Sequence, residues 1–251
     1  MSTQDGIDYA ARAKEELGFS RWWQIIAAAV MMGLISPYQY VWSSIEGPLS
    51  TALSVDAAAI GLVFTLFVVF QAGSQVPVGW WRDRRGPRVL TLVAGVLAGG
   101  GYLGLAQATS VWQLYLFYSL GAIGVGIVYT VAVNTALKWF PDRRGLTTGV
   151  GTMAFSAGSA VAVPVVRSYA TPTAYPDVLW PMGLLIAVVV LGGAAVLRDP
   201  PVDWRERTPA GEPPADPGPS FSPREMLRTR QFWLLYAMFI AMSAAGLMLT
   251  A

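Results

Sequence analysis

Long apolar runs with no charged residue recur along the chain and set its architecture. They cover Trp22–Ile45, Ala57–Trp81, Val89–Leu137, Gly145–Val166, Val178–Leu197 and Gln231–Ala251. A helix needs about 20 such residues to cross the hydrocarbon core of a bilayer. Each run has that length, and Val89–Leu137 has twice it. Its polar break at Gln107-Ala108-Thr109-Ser110 divides it into two helices joined by a tight turn. The pattern predicts seven transmembrane helices. Buried helices of a water-soluble globule are excluded, because too little polar surface would remain to solvate it.

Composition agrees. Of 251 residues, 54% are hydrophobic and 13% charged, with a mean hydropathy of +0.48; a soluble domain carries about 25% charge. Cys and His are absent, which excludes disulfides, Cys or His metal ligands, and Ser-His or Cys-His catalysis within the chain. The sequence calls for no catalytic residue, metal or cofactor. The formal charge is +2 and the pI about 9.0, but the placement of the charge matters more. Every Lys and Arg except Arg167 falls at the N-terminus or in the second, fourth and sixth connections between helices. The positive-inside rule then puts the N-terminus in the cytoplasm of a multi-pass protein of the cell membrane. It also explains the basicity without nucleic acid. The first span is not a cleaved signal peptide: 21 residues precede it, including Asp5, Asp8, Glu15 and Glu16, and no small-residue cleavage site follows.

The expected organisation is a cytoplasmic N-terminus at 1–21, a six-helix bundle at 22–197, a linker at 198–230 and a seventh helix at 231–251. The linker holds eight of the 17 prolines and mixes acids with bases, so it cannot bury a core and should be a mobile cytoplasmic segment. Near its end, Ser222 is placed to cap a short helix with Pro223 at its first position.

The 2–3 connection reads Gly79-Trp80-Trp81-Arg82-Asp83-Arg84-Arg85-Gly86-Pro87-Arg88. Gly79 and Asp83 share a helix face at i, i+4. The glycine admits a neighbouring helix, and the carboxylate can face a helix N-terminus or an Arg across the gap. The plainer reading is an ordinary basic loop. Asp-Arg-Arg-Gly recurs at 142–145, but inverted three-plus-three symmetry would pair the 2–3 loop with the 5–6 loop. The echo is therefore two similar helix-end turns.

Gly79, Asp83, Arg84, Gly86 and Arg88 resemble the loop signature between helices two and three of the major facilitator superfamily. Phe70-Gln71-Ala72-Gly73-Ser74-Gln75, Gly124-Val125-Gly126-Ile127-Val128-Tyr129, Lys138-Trp139-Phe140-Pro141-Asp142-Arg143-Arg144-Gly145 and Glu225-Met226-Leu227-Arg228-Thr229-Arg230-Gln231-Phe232-Trp233 are similar to the oxalate/formate antiporter family within it. The resemblance implies an all-α integral membrane fold, with the N-terminal six-helix bundle and the start of the C-terminal one. It implies that Asp83 and Arg84, with Gly79, Gly86, Arg88, Asp142, Arg143 and Arg144, belong to a cytoplasmic gate that closes as the carrier opens outward. Span five carries Gly158-Ser159 rather than the Gly-Pro pair of the superfamily's antiporter signature, so its glycines give exchange no separate support.

None of the first six spans carries a charged residue, and intramembrane charged groups are the usual markers of ion and proton paths. The polar inventory is neutral: Gln39, Tyr40, Gln71, Gln75, Tyr129 and Asn134. Tyr and Gln can donate hydrogen bonds to a carboxylate. Equally, Gln71, Gln75 and Asn134 can simply bond to neighbouring helices, and Tyr40 can be an interfacial anchor. The resemblance implies that Gln39, Tyr40 and Tyr129 line a cage for a small dicarboxylate whose charge is met by an Arg and a Lys of the other half. Gly61 and Phe155 stand where the family carries Gln and Tyr, so a larger or less polar organic anion fits this cage as well.

Transport of a small organic anion is the leading reading. A membrane enzyme lacks a base, and a seven-helix receptor would place its N-terminus outside. A non-transporting subunit or sensor derived from a carrier is the remaining alternative. Since the carrier cavity lies between two bundles, the chain is expected to need a missing C-terminal half, or a second chain, to transport.

Overall fold

The computed structural model describes residues 8–201, 204 and 223–248. It has two compact units: Asp8–Pro201, and a second to which the described residues Trp204 and 223–248 belong. All regular structure among the described residues is helical.

In the first unit, α1 (Tyr9–Leu17) begins where the Asp8 carboxylate accepts hydrogen bonds from the N–H groups of Ala10 and Ala11, at 2.9 and 3.0 Å. It ends at Gly18, whose φ of +77° only glycine adopts cheaply. The chain then turns by 76° into the first long path. That path is α2 (Trp22–Ile35), one turn of α3 (Pro37–Tyr40) and α4 (Trp42–Leu53). The single helix expected at Trp22–Ile45 is thus interrupted twice. Pro37 lacks an N–H, so it starts a new turn instead of continuing α2.

The next helices follow the hydrophobic runs closely. They are α5 (Ala57–Arg85), α6 (Arg88–Ala106), α7 (Val111–Trp139), α8 (Arg144–Tyr169) and α9 (Tyr175–Val196). Each is long and apolar enough to cross a membrane, and a sixth span results if the bent path through α1 to α3 is counted. The break at Gln107–Ser110 is where the sequence put it; there Gln113 Oε1 accepts from the Thr109 N–H at 2.6 Å. The helices outrun the charge-free stretches at their ends. α4 takes in Glu46 and α5 takes in Arg82, so ionisable groups do lie on helices continuous with the first two spans.

The packing has an internal symmetry. α6 lies against α9; α5 against α7 and α2 against α8; α6 against α7 and α2 against α9. Exchanging the path α2–α5–α6 with α7–α8–α9 maps each pairing onto another or onto itself, the signature of two three-helix repeats. Membrane helices gain little by hiding apolar surface from lipid, so close backbone contact carries the packing. A Cβ on Gly158 would stand 1.9 Å from the Gly33 carbonyl oxygen, and one on Gly99 would stand 2.5 Å from the Ala187 Cβ. The first of these holds α2 against α8; the second holds α6 against α9.

At the end remote from the basic loops, Tyr38, Phe67, Tyr102 and Tyr118 form a buried aromatic core. Tyr38 stacks on Tyr102 at 4.0 Å. The Tyr38 hydroxyl donates to the Ala98 carbonyl, and that of Tyr118 to the Tyr38 carbonyl.

In the second unit, α10 (Pro223–Met226) precedes α11 (Arg230–Met248). Pro223 is the first residue of α10, while Ser222 and the last three residues of the expected seventh span lie outside the described residues. The Trp233 indole donates to the Leu227 carbonyl at 2.8 Å, tying the start of α11 to the turn before it.

Candidate functional site

Two groups of polar and aromatic residues stand out in the first unit. The first is a cluster shared by α3, α7 and α8. Phe155 of α8 is buried, and both Tyr40 and Tyr129 set their rings against it edge-on, at 5.9 and 5.8 Å between centroids. The one-turn α3 positions Tyr40 to do this. Edge-to-face contacts of this kind fix ring orientation as well as adding about 0.5–1.5 kcal/mol. Both tyrosines are half-buried, and neither hydroxyl has a hydrogen-bond partner among the described residues. The cluster presents oriented O–H donors on an apolar floor and contributes no cation.

Gln39, Gln71 and Gln75 are also half-buried with side-chain amides that bond to nothing among the described residues. Asn134 differs: it is exposed, and its Nδ2 donates to the Thr130 carbonyl one turn back, at 2.8 Å. That bond spends its donor on its own helix. Gly61 is exposed, with open space where a side chain would be.

The second group lies at the basic end. Asp199, just past α9, accepts from Arg82 Nη2 at 2.8 Å and from Lys138 Nζ at 3.0 Å. The Arg82 side chain is only 1% exposed, and its Nη2 also reaches the Thr135 hydroxyl at 3.1 Å. Three helix ends, those of α5, α7 and α9, are thereby tied through one carboxylate. A parallel tie joins α2 to the α7–α8 connection. Arg21 forms a two-pronged pair with Asp142 at 2.8 and 2.9 Å, donates to the Trp139 carbonyl, and lies 4.2 Å over the Phe140 ring. Burial pushes the Asp142 carboxyl up, but the hydrogen bonds and charge of Arg21 outweigh it, and the carboxyl lies below its ordinary value. Gln24 completes the end, donating to the Val196 carbonyl at 2.8 Å while accepting from the Arg198 N–H.

The residues picked out from the 2–3 loop are arranged otherwise. Asp83 is 71% exposed, and among the described residues its one ion-pair contact is to Arg82 at 3.4 Å. Arg84 lies over the Trp80 ring at 3.8 Å. A side chain on Gly79 would meet open space. Gly86 has a φ of +73° and ends α5, and Arg88 begins α6. Of the 4–5 loop, Asp142 is engaged by Arg21, Arg143 is exposed and 3.6 Å from Asp142, and Arg144 begins α8. Sequence reasoning missed Arg82, Lys138, Asp199 and Arg21. One signal was present for Arg82, which repeats the four-residue spacing of the buried Val78.

Comparison with known proteins bears on both groups. The family described as Major Facilitator Superfamily matches residues 25–251. The chain is 34% identical over 232 residues to an oxalate:formate antiporter of Oxalobacter formigenes, covering 92% of this chain and 54% of the relative. It is 33% identical over 219 residues to an uncharacterized 38 kDa protein of Thermoproteus tenax, covering 87% and 54%. An uncharacterized MFS-type transporter of Escherichia coli, YhjX, is 24% identical over 233 residues, covering 91% and 56%. The chain thus spans about half the length of these relatives.

Proposed function

The chain belongs to the major facilitator superfamily, a family of multi-pass membrane transporters rather than enzymes, and from that premise we propose that it forms one half of a carrier for a small organic carboxylate. The observation that carries the reading is the Tyr40–Phe155–Tyr129 cluster. Three helices converge there, and two hydroxyls remain free to bind a ligand. A carboxylate entering from water must replace its hydration with other donors. Tyr40, Tyr129 and the unengaged amides of Gln39, Gln71 and Gln75 can supply them. Asn134, already bonded within its helix, takes a lesser part.

Neutral donors orient an anion but do not neutralise it. In this reading the counter-charge comes from a second bundle, the missing half of a longer carrier or a second chain, whose approach closes the cavity. Alternating access then follows from the rocking of the two bundles about the site. The basic end faces the cytoplasm of the cell membrane, as the charge placement supports. There the Arg82–Asp199–Lys138 and Arg21–Asp142 ties keep this bundle rigid as it rocks. Asp83 and Arg84, with Gly79, Gly86, Arg88, Arg143 and Arg144, face outward from those ties as the gate toward the second bundle. Exchange of oxalate for formate, the activity for which the Oxalobacter relative is named, is the reference case. Phe155 makes this pocket's floor wholly apolar and favours monocarboxylates.

The test is uptake into liposomes holding the whole carrier, with oxalate, formate and monocarboxylates of increasing size as labelled substrates. Saturable uptake of at least one carboxylate, weakened several-fold by Tyr129→Phe, is expected. Uptake of none, with fully folded protein, overturns the proposal.

A further inference from the structure

The direction of the Tyr40 hydroxyl is set by a residue two places before it. Tyr40 ends α3, a single turn of four residues bounded by breaks at Ser36 and Val41. An isolated helix shorter than about 12 residues is marginal, so a one-turn element holds its orientation only through contacts with its neighbours. Those contacts are concentrated on Tyr38, which is fully buried.

Tyr38 sits in a slot that two glycines leave open between α6 and α7. A Cβ on Gly101 of α6, or on Gly121 of α7, would stand 2.5 Å from the Tyr38 hydroxyl oxygen, so a larger residue at either position would displace the phenol. The Tyr102 ring covers one face at 4.0 Å. The Tyr38 hydroxyl donates to the Ala98 carbonyl of α6, and the Tyr118 hydroxyl of α7 donates to the Tyr38 carbonyl. One helix thus holds the turn by its side chain and the other by its backbone. Residues two apart on a helix differ by about 200° in direction. With Tyr38 locked between α6 and α7, Tyr40 is turned the other way, where its ring meets Phe155 of α8 at 5.9 Å. Tyr118 is fully buried as well, so neither of the two phenols is open to a ligand.

We propose that Tyr38 and Tyr118 are positioning residues, whose two hydroxyl-to-carbonyl bonds fix α3 and aim the Tyr40 hydroxyl before a carboxylate arrives. Donors ordered in advance bind without the entropy cost of ordering them on arrival. The role rests on the carboxylate reading of the Tyr40–Phe155–Tyr129 cluster, and its test keeps the two apart.

That test is calorimetry of formate, acetate and oxalate binding to the whole carrier, run beside fluorine NMR of the carrier with 3-fluorotyrosine in place of Tyr40. Tyr38→Phe and Tyr118→Phe each keep the ring and remove one bond. Each is expected to weaken binding about three-fold or more in the otherwise unchanged carrier, but not in one carrying Tyr40→Phe, because the donor being aimed is then gone. Each should also broaden or split a single fluorine line. Equal weakening in the Tyr40→Phe background, or a fluorine line unmoved by both substitutions, overturns the proposal. If the wild-type carrier binds none of the three anions, or Tyr40→Phe binds them as tightly, the carboxylate reading fails instead. The aiming of Tyr40 is then decided by the fluorine line alone.

Discussion

Asp199→Asn isolates the tie at the basic end, because it keeps the shape of the side chain and removes only its charge. The change leaves Arg82, with 1% of its side chain exposed, facing a neutral amide. Its remaining acceptors are the Thr135 hydroxyl at 3.1 Å and the distant Asp83 at 3.4 Å, and its Nε already lacks a partner. Breaking a buried pair by removing one member costs about 3–5 kcal/mol, because the other charge stays buried and unpaired. Asp199 itself is 26% exposed and Lys138 34%, so solvent screens part of this, and about 2–3 kcal/mol is the working figure. For a domain of this size, 1 kcal/mol moves Tm by about 2–4 °C. The expected fall is thus roughly 5–10 °C, read from tryptophan fluorescence on heating in detergent. Lys138→Met, which removes the more exposed cation, should cost less than about 1 kcal/mol. Replacing Arg82 and Asp199 together by Met and Leu should recover most of the loss. An Asp199→Asn protein that melts within 2 °C of wild type, or a Lys138→Met protein that is equally damaged, would refute the argument.

Further outcomes follow from the same geometry. Because the folded-state pKa of Asp142 is depressed, its stabilising contribution is present above the ordinary carboxyl value and is lost as pH falls through the folded one. Melting temperature should therefore hold from pH 7 to about pH 5 and drop below about pH 4, less steeply in Asp142→Asn; equal slopes would contradict this. Gly158→Ala must push α8 off the Gly33 carbonyl and should cost about 1–3 kcal/mol, whereas Gly100→Ala, with open space around it, should be neutral or mildly stabilising. Monodispersity and melting of the pair decide it. Phe155→Tyr adds a hydroxyl to the floor between Tyr40 and Tyr129. It should shift preference from monocarboxylates toward dicarboxylates in competition uptake, and an unchanged ranking would remove Phe155 from the specificity argument.

Much of the fold was legible because lipid imposes a simple rule on sequence. The starts of α5 and α7 and the break at Gln107–Ser110 all appear as changes between apolar and polar residues. The interruption at Ser36 and Val41 was not, because Trp22–Ile45 carries no charge and is long enough to read as one continuous span; only Pro37 hinted at the break. Arg82 was hidden among four arginines in a basic loop. Composition cannot say which arginine turns inward, and its partner Asp199 lies 117 residues away. The site was half visible. Tyr38, Tyr102, Tyr115 and Tyr118 also lie in apolar runs, so only the family resemblance singled out Tyr40 and Tyr129, and periodicity within one helix carries no information about which helix a side chain faces. Their meeting at Phe155 needed the packing of three helices.

The central claim is that the free hydroxyls of Tyr40 and Tyr129 bind a carboxylate. Isothermal calorimetry of carboxylate binding to the whole carrier, comparing wild type with Tyr129→Phe and Tyr40→Phe, tests it most directly. Each substitution keeps the ring contact with Phe155 and removes one donor. The account predicts unchanged melting temperature and affinity weakened by about five- to ten-fold for each, as the loss of about 1–1.5 kcal/mol from one hydrogen bond requires. Wild-type affinity in both variants would contradict it.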